Sequence, residues 1–221
     1  MRRAAAVLVL ACLAGAAPAL GHEDSTPPLE FEPPAAGTYT LHRIVAAPDG
    51  EVLDLDGHPH RLRRVTAERI TVLGLIYTTC VDPDGCPLAL RVFDALEPVL
   101  RATPRLRNAV QLVTLSFDPE HDTPAAMRGY AGRRARPDPG GVPWHFLTTR
   151  SVRALSPILD GLGQDIRSTA RAGAPSRARE LSHVLKVFLI DRAGFVREIY
   201  SSAFLHPRTV LNDIDTLLLA P

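Results

Sequence analysis

Two cysteines, Cys80 and Cys86, stand in the stretch YTTCVDPDGCPLA with five residues between them. Two thiols at this spacing suit a structural disulfide, a redox-active pair or a soft-metal site. A disulfide here would close a ring of only seven residues, 80 to 86, and such a short ring stabilises a fold little. The spacing therefore favours a reactive or metal-binding pair of thiols.

The N-terminus predicts the compartment in which these thiols act. Residues 4–17 form an apolar run, and residues 19–21 offer the small side chains that a signal peptidase reads. The run is shorter than the roughly 20 residues of a spanning helix, so we interpret residues 1–21 as a secretory signal peptide. A lipid tether at Cys12, inside the run, is the alternative. We expect an exported, periplasmic or otherwise extracytoplasmic protein with no transmembrane span after cleavage.

The bulk composition indicates one globular domain of ordinary size. Hydrophobic residues make up 46% of the 221 residues, and the formal net charge is +1. Such a balance gives no reason to expect nucleic acid as a partner. Residues 22–37 hold four prolines and predict an extended, poorly packed linker, and residues 38–221 form the domain.

Apolar periodicity predicts the elements that position the thiols. Residues 51–62 alternate around Asp56-Gly57, as in a hairpin, and the apolar run 70–77 predicts a buried strand that ends just before the thiols. Apolar residues at helical spacing follow Pro87, and strands and helices then alternate. This order predicts an α/β fold with a mainly parallel central sheet, flanked by helices and preceded by a hairpin. The other predicted elements are strands at 109–117 and 144–148, helices at 123–135, 151–163 and 206–220, and a strand–turn–strand at 183–201.

The predicted position of the thiols favours reactivity. In an α/β fold, ligands bind at the loops that follow the strands. Cys86 also directly precedes the predicted helix, whose N-terminus stabilises a thiolate. A third ligand would separate a metal site from a redox pair, since thiolates together with an imidazole suit copper. The candidates for this ligand are His22, His42, His58, His60, His121, His145, His183 and His206.

Four motifs in this order resemble the Sco/SenC family: YTTC…CP, VTLSFDPEHDTP, WHFLT and SHVLKVFLIDRAGFVREIY. The resemblance covers residues 39–219. It implies a thioredoxin-like fold and a copper-binding protein that serves the assembly of cytochrome c oxidase. By resemblance, Cys80, Cys86 and His183 bind one copper ion, Cu(I) or Cu(II), and Asp118 of the FDP motif lies near the site.

The sequence departs from the family pattern in its cysteine spacing. The family places three residues between its cysteines, whereas residues 81–85 make five here. Ordinary thioredoxins place a proline before the strand that faces the thiols, where this chain has Ser182-His183. By resemblance, this second difference favours a metal site over a general disulfide exchanger.

The expected function is a copper metallochaperone that delivers copper to the binuclear copper centre of cytochrome c oxidase. Its partner would be the copper-site subunit of the oxidase or another copper or thiol protein. The alternative is a thiol–disulfide reductase in which Cys80 and Cys86 cycle through a disulfide, so enzymatic activity stays open. A peroxidase-like thiol enzyme built on Thr79-Cys80 is a third hypothesis.

Two further features are interpreted as surface. His58 and His60 lie beside the predicted hairpin turn and are taken as solvent-facing side chains, with a weak metal site as the alternative. Residues 167–180 are rich in arginine and are taken as a solvated insertion, with a docking patch for an acidic partner as the alternative.

Overall fold

The structure is a computed structural model of the chain, and it describes residues 29, 31–136, 138–169 and 180–220. The predicted signal peptide, Cys12 and the start of the predicted linker lie outside the described residues. None of the helices in these ranges combines the length and the apolar character that a membrane crossing requires.

A six-stranded sheet lies at the centre of the domain. The strands of the described residues are β1 Val45–Ala46, β2 Glu51–Leu53, β3 Pro59–Arg61, β4 Ile70–Ile76, β5 Val110–Ser116, β6 Trp144–Leu147, β7 Arg167–Thr169, β8 Glu180–Ser182, β9 Val187–Ile190 and β10 Phe195–Tyr200. The central sheet has the order β1-β10-β9-β4-β5-β6, and β2 with β3 and β7 with β8 form two small ribbons. The predicted hairpin at residues 51–62 is thus confirmed.

The central sheet is mixed. Strands β4, β5 and β6 pair in parallel, as the alternation of strands and helices predicts. Strands β9, β10 and β1 join the sheet by antiparallel pairing. Only residues 191–194 connect β9 to β10, and a connection this short permits only an antiparallel pair.

Four of the six helices in the described residues begin within one residue of their predicted positions, and two short helices were not predicted. They are α1 Leu62–Val65, α2 Cys86–Ala102, α3 Pro104–Ala109, α4 Pro124–Ala131, α5 Val152–Leu162 and α6 Pro207–Leu219, and a 3-10 helix, Gly132–Ala135, follows α4. Thr123 caps α4 by accepting a hydrogen bond from the Ala126 N–H, as its position before a proline predicts. Helix α5 runs through Pro157 without an interruption.

Helices cover both faces of the sheet and bury its central strands. Strands β4 and β5 are buried at every position. Helices α2 and α6 pack against one face, and α4 and α5 pack against the other. The apolar stripe of α2 is buried in full: Leu88, Val92, Leu96 and Leu100. The loops that follow β4 and β5 are therefore held in place by the most buried part of the fold.

The prediction of a poorly packed linker is wrong for residues 31–37. Glu32 forms an ion pair with Arg208 at 2.5 Å, and the Asn212 side-chain amide donates to the Pro34 carbonyl at 2.8 Å. Both partners lie on α6. Proline-rich composition predicts an extended backbone, but it leaves open whether that backbone docks on a neighbouring helix.

Candidate metal centre

The two cysteines lie where the sequence predicts, in the loop that follows β4 and at the start of α2. Helix α2 begins at Cys86 itself, with Pro87 as its second residue. Cys86 is 1% exposed, whereas Cys80 is half-buried, and both thiols are free. The pair thus has one sulfur at the surface and one in the core.

The five residues between the cysteines fold back on themselves. The Gly85 N–H donates to the Asp82 carbonyl at 3.0 Å, and the Asp82 side chain accepts from the Asp84 N–H at 3.1 Å. This local turn takes up the extra length of the loop, so both sulfurs lie at the same end of α2 despite the wide spacing.

One thiolate and one thiol form the resting state of the pair. The hydrogen bond from the Cys86 thiol is the main cause that lowers the pKa of the Cys80 thiol to about 5. Partial burial opposes this lowering, and the backbone N–H groups of Cys86 and Asp82 add to it. The hydrogen bond to Cys80, followed by burial, raises the pKa of Cys86 well above its ordinary value. At neutral pH, therefore, Cys80 is charged and Cys86 is protonated, so the predicted thiolate at the start of the helix is wrong: the charge lies on Cys80.

His183 approaches the buried thiol through the ring nitrogen that a metal would use. Its Nε2 lies 3.8 Å from the Cys86 Sγ, and its Nδ1 lies 3.2 Å from the Leu181 carbonyl oxygen. Because a carbonyl only accepts hydrogen bonds, the ring proton belongs on Nδ1, and the Nε2 lone pair faces the thiols. Metal-binding histidines are oriented in this way by a backbone carbonyl.

Two aromatic rings fix the orientation of the imidazole. The His183 ring centroid lies 4.8 Å from that of Phe117 and 5.9 Å from that of Tyr77. The Tyr77 hydroxyl also donates to Cys80 and helps to lower its pKa. Sequence reasoning missed both aromatic residues, although each is the last residue of a predicted buried strand.

The position of His183 differs from the prediction of a strand entry. Residues 183–186 are irregular, and β9 begins only at Val187. A second ribbon precedes this irregular segment: Arg167–Thr169 (β7) pairs with Glu180–Ser182 (β8). His183 directly follows β8 and therefore lies between the ribbon and β9. Residues 170–179 lie outside the described part of the chain.

The three ligand atoms are close but not yet arranged around one ion. The Cys86 sulfur contacts both Cys80 and His183, yet the three atoms do not all lie within 4.8 Å of one another. The long edge therefore runs from Cys80 to His183. Metal bonds of about 2.1 Å to nitrogen and about 2.3 Å to sulfur, as zinc shows, place a nitrogen and a sulfur ligand at most about 4.4 Å apart. Binding one ion through all three residues requires Cys80 to move toward His183.

Asp118 lies beside the site without contacting it. Its carboxylate accepts from His121 Nδ1 at 3.0 Å, and its N–H donates to the Ser116 hydroxyl at 3.0 Å. The described part of the chain shows no hydrogen bond from Asp118 to a thiol or to His183. Its link to the site is through the neighbouring Phe117, which packs on the imidazole.

Asp122 anchors the thiol loop and is a second residue that sequence reasoning missed. Its carboxylate is 1% exposed. It accepts from the Thr78 N–H at 3.0 Å, from the Thr78 hydroxyl at 2.5 Å and from the Ser116 hydroxyl at 2.5 Å. Thr78 lies two residues before Cys80, so Asp122 ties the loop to the end of β5. In the sequence, the signal that could have identified Asp122 was its position after a buried strand and directly before a capped helix.

Several of the other candidate histidines belong to other elements of the fold. Among the described histidines, His183 is the one in contact with a cysteine. His58 and His60 flank the β2–β3 turn, and His145 lies in β6, where burial lowers its pKa. His22 lies outside the described residues.

A family model described as SCO1/SenC matches residues 51–219 of the chain. Curated protein sequences gave no match. Solved structures of Sco proteins have the same fold, which confirms the predicted thioredoxin-like class.

The Arabidopsis thaliana ScoI structure with copper bound has a TM-score of 0.64 at 16% identity and covers 79% of this chain and 98% of its own. The Bradyrhizobium japonicum ScoI structure with copper bound has a TM-score of 0.58 at 20% identity and covers 77% of this chain and 98% of its own. BsSco has a TM-score of 0.59 at 18% identity and covers 80% of this chain and 95% of its own. It is described as having a disulfide switch and as a member of the Sco family of cytochrome c oxidase assembly proteins.

Proposed function

Since the chain belongs to the SCO1/SenC family, we propose that it is a copper metallochaperone for cytochrome c oxidase. It holds one copper ion through Cys80, Cys86 and His183 and passes it to the binuclear copper centre of the oxidase. Two structural relatives carry copper, and a third is described as an oxidase assembly protein. The partner is the copper-site subunit of the oxidase.

The contact of 3.8 Å between the Cys86 Sγ and the His183 Nε2 carries the proposal. It joins the imidazole to a thiol that is already hydrogen-bonded to the Cys80 thiolate. Two sulfur ligands suit Cu(I), and the added imidazole suits Cu(II). A plain dithiol exchanger has no use for an imidazole held in this tautomer against the buried sulfur.

Burial of the two sulfurs sets the order of transfer. Cys80 is half-buried and Cys86 is 1% exposed, so an incoming thiolate of the partner reaches the copper from the Cys80 side. A partner sulfur forms its bond to copper while the bond to Cys80 breaks, the same exchange follows at Cys86, and the bond to His183 breaks as the copper leaves. The copper keeps its oxidation state throughout, since only ligands are exchanged.

Anaerobic titration of the reduced protein with Cu(I), with the metal counted per chain, tests the proposal. We expect one copper per chain in the parent and no tight binding once both Cys80 and Cys86 are replaced by serine. His42→Ala is the matched control, because His42 is exposed and lies apart from the thiols. Tight Cu(I) binding by the double serine variant would place the site elsewhere and overturn the assignment.

The thiol–disulfide reductase is the second candidate, and a separate observation favours it. A half-buried thiolate at Cys80 beside a buried thiol at Cys86 is the arrangement of an attacking and a resolving thiol. In this reaction Cys80 attacks a partner disulfide, and Cys86 then displaces the partner thiol, so the partner is reduced and the pair is oxidised to a disulfide.

His183→Ala separates the two functions. The variant loses one of three copper ligands, so Cu(II), which takes more ligands than Cu(I), is lost first. Thiol exchange depends on thiolate formation and access, so it persists. Measuring Cu(II) absorption and exchange with a small disulfide on one preparation decides between them. Unchanged Cu(II) spectra would remove His183 from the site and leave the reductase as the better interpretation.

The proposed partner requires export of the protein. Removal of residues 1–21 exposes His22 as the new N-terminus, whereas a lipid tether would leave Cys12 as the modified first residue. Mass spectrometry of the N-terminal peptide of the exported protein distinguishes the two, and an intact Met1 on the exported protein would contradict both.

A further inference from the structure

Two imidazoles face one carboxylate oxygen at the turn between β2 and β3. The Asp54 Oδ2 lies 2.8 Å from the His60 Nε2 and 3.6 Å from the His58 Nδ1. In the sequence, the alternation of His58 and His60 suggested solvent-facing side chains. Only the folded turn places Asp54, four residues before His58, between them.

The turn is held rigid without the use of this oxygen. The backbone N–H groups of Asp54 and Gly57 donate to the carbonyls of His58 and Asp54, each at 3.0 Å. The other carboxylate oxygen, Oδ1, accepts from the N–H groups of Asp56 and His58, each at 2.9 Å. Oδ1 therefore fixes the backbone of the turn, and Oδ2 stays directed at the imidazoles.

A helix contact anchors the same turn to the domain. Arg128 of α4 donates to the Leu55 carbonyl and to the Asp56 carboxylate, each at 2.6 Å. The ligand atoms of Asp54, Asp56 and His58 all lie within 4.8 Å of one another. Arg128 neutralises Asp56, so Asp54 supplies the anionic ligand beside the two imidazoles. His60 lies outside this set of mutual distances, so an ion bound by Asp54, His58 and His60 draws the two imidazole rings together.

We propose that this turn is a second metal site, which binds a divalent transition ion through Asp54, His58 and His60. Imidazole nitrogen and carboxylate oxygen suit Cu(II), Zn(II) and Ni(II), whereas the site offers no sulfur for Cu(I). The ion takes the place of the hydrogen bond between His60 and Oδ2, and water completes its coordination. The three side chains are partly exposed, at 31%, 73% and 44% in chain order, so the rings turn toward the ion without repacking the core.

This inference is independent of the copper chaperone function and adds a distinct class of site. The thiol centre takes Cu(I) as well as Cu(II), and the turn takes only the oxidised ion. Excess Cu(II) then loads a second equivalent that the cysteine variants retain. Counting Cu(II) in the parent alone would therefore overestimate the capacity of the thiol centre.

Cu(II) titration of the mature chain with both cysteines replaced by serine tests the site, followed by electron paramagnetic resonance. We expect one Cu(II) per chain with nitrogen and oxygen ligands and no sulfur-to-copper absorption band. His58→Ala and His60→Ala should each weaken binding about tenfold or more, since losing an outer-shell partner alone costs about 10–100-fold. His42→Ala, an exposed histidine elsewhere, should change nothing. If His58→Ala and His60→Ala bound Cu(II) as tightly as the chain with only the two cysteines replaced, the proposed site would be refuted.

A second measurement covers the case in which the cysteine variant does not fold. On the parent with its thiols loaded with Cu(I), added Zn(II) should shift the backbone amide resonances of residues 54–58 and 60 and leave those of the thiol loop unchanged. Shifts confined to other residues would equally reject the inference, whatever the outcome of the Cu(I) experiments.

Discussion

Replacing Asp122 with asparagine should loosen the thiol loop although no copper ligand is changed. Asparagine keeps one oxygen, which still accepts from the Thr78 N–H and the Ser116 hydroxyl. Its amide replaces the oxygen that accepts from the Thr78 hydroxyl at 2.5 Å, and that hydroxyl must turn to accept instead. All the bonds lose their ionic character. Hydrogen bonds to charged groups contribute about 1.5–3 kcal/mol, against about 0.5–1.5 kcal/mol for neutral ones.

The expected loss follows from this difference. About 1 kcal/mol for each of two to three bonds gives a loss of about 2–3 kcal/mol in the free energy of unfolding. Asp122→Ala would leave the buried donors of Thr78 and Ser116 without any acceptor and is expected to cost more, so the asparagine variant is the more informative one. Because Thr78 lies two residues before Cys80, the same change should weaken Cu(I) binding.

Urea unfolding at pH 7 and Cu(I) competition on the same preparation measure both effects. Asp118→Asn is the matched control: it changes a nearby carboxylate whose partner, His121, is half exposed and does not belong to the thiol loop. The Asp118 carboxylate accepts from one half-exposed side chain, whereas that of Asp122 accepts three bonds from buried or part-buried groups, so the control should lose less. If Asp118→Asn cost more stability and more copper affinity than Asp122→Asn, the anchoring role of Asp122 would be refuted.

Three further predictions concern the thiols and their surroundings. With the pKa of Cys80 at about 5 and that of Cys86 raised, Cu(I) binding at pH 7 should release about one thiol proton, the one held by Cys86; an indicator titration that finds two at pH 7 contradicts the assignment. Iodoacetamide should modify Cys80 with a midpoint near pH 5 and spare Cys86 in the folded protein, as peptide mass spectrometry can show. Val81 directly follows Cys80 and is 90% exposed, so Val81→Asp should preserve copper affinity but slow transfer of copper to the oxidase subunit. Val99→Asp on α2 should leave both the affinity and the transfer rate unchanged.

The local pattern of the sequence determined which elements form and where the thiols lie. Continuous apolar runs gave β4 and β5, a four-residue spacing gave the buried stripe of α2, and proline marked the starts of α2 and α4. Each of these signals acts over a few residues. The position of both cysteines after β4 follows from the same signals, because the buried strand before them and the helix after them fix the place of the loop that joins the two.

The proposed third ligand was identified only through the family resemblance. His183 lies 97 residues from Cys86 along the chain, and spacing alone does not choose it among eight histidines. The structure adds what resemblance leaves open: which ring nitrogen faces the sulfur, and that Cys80 has to move before all three residues can bind one ion.

Tertiary structure alone decided which carboxylate anchors the thiol loop and which segment packs on α6. Asp118 and Asp122 both follow β5, and the turn in which the Asp118 carbonyl accepts from the N–H groups of His121 and Asp122 directs the second carboxylate inward. Residues 31–37 likewise found partners on α6 that no local pattern encodes. Contacts of this kind depend on where the whole chain places a donor, because hydrogen bonds act within about 3 Å and join residues of any separation in sequence.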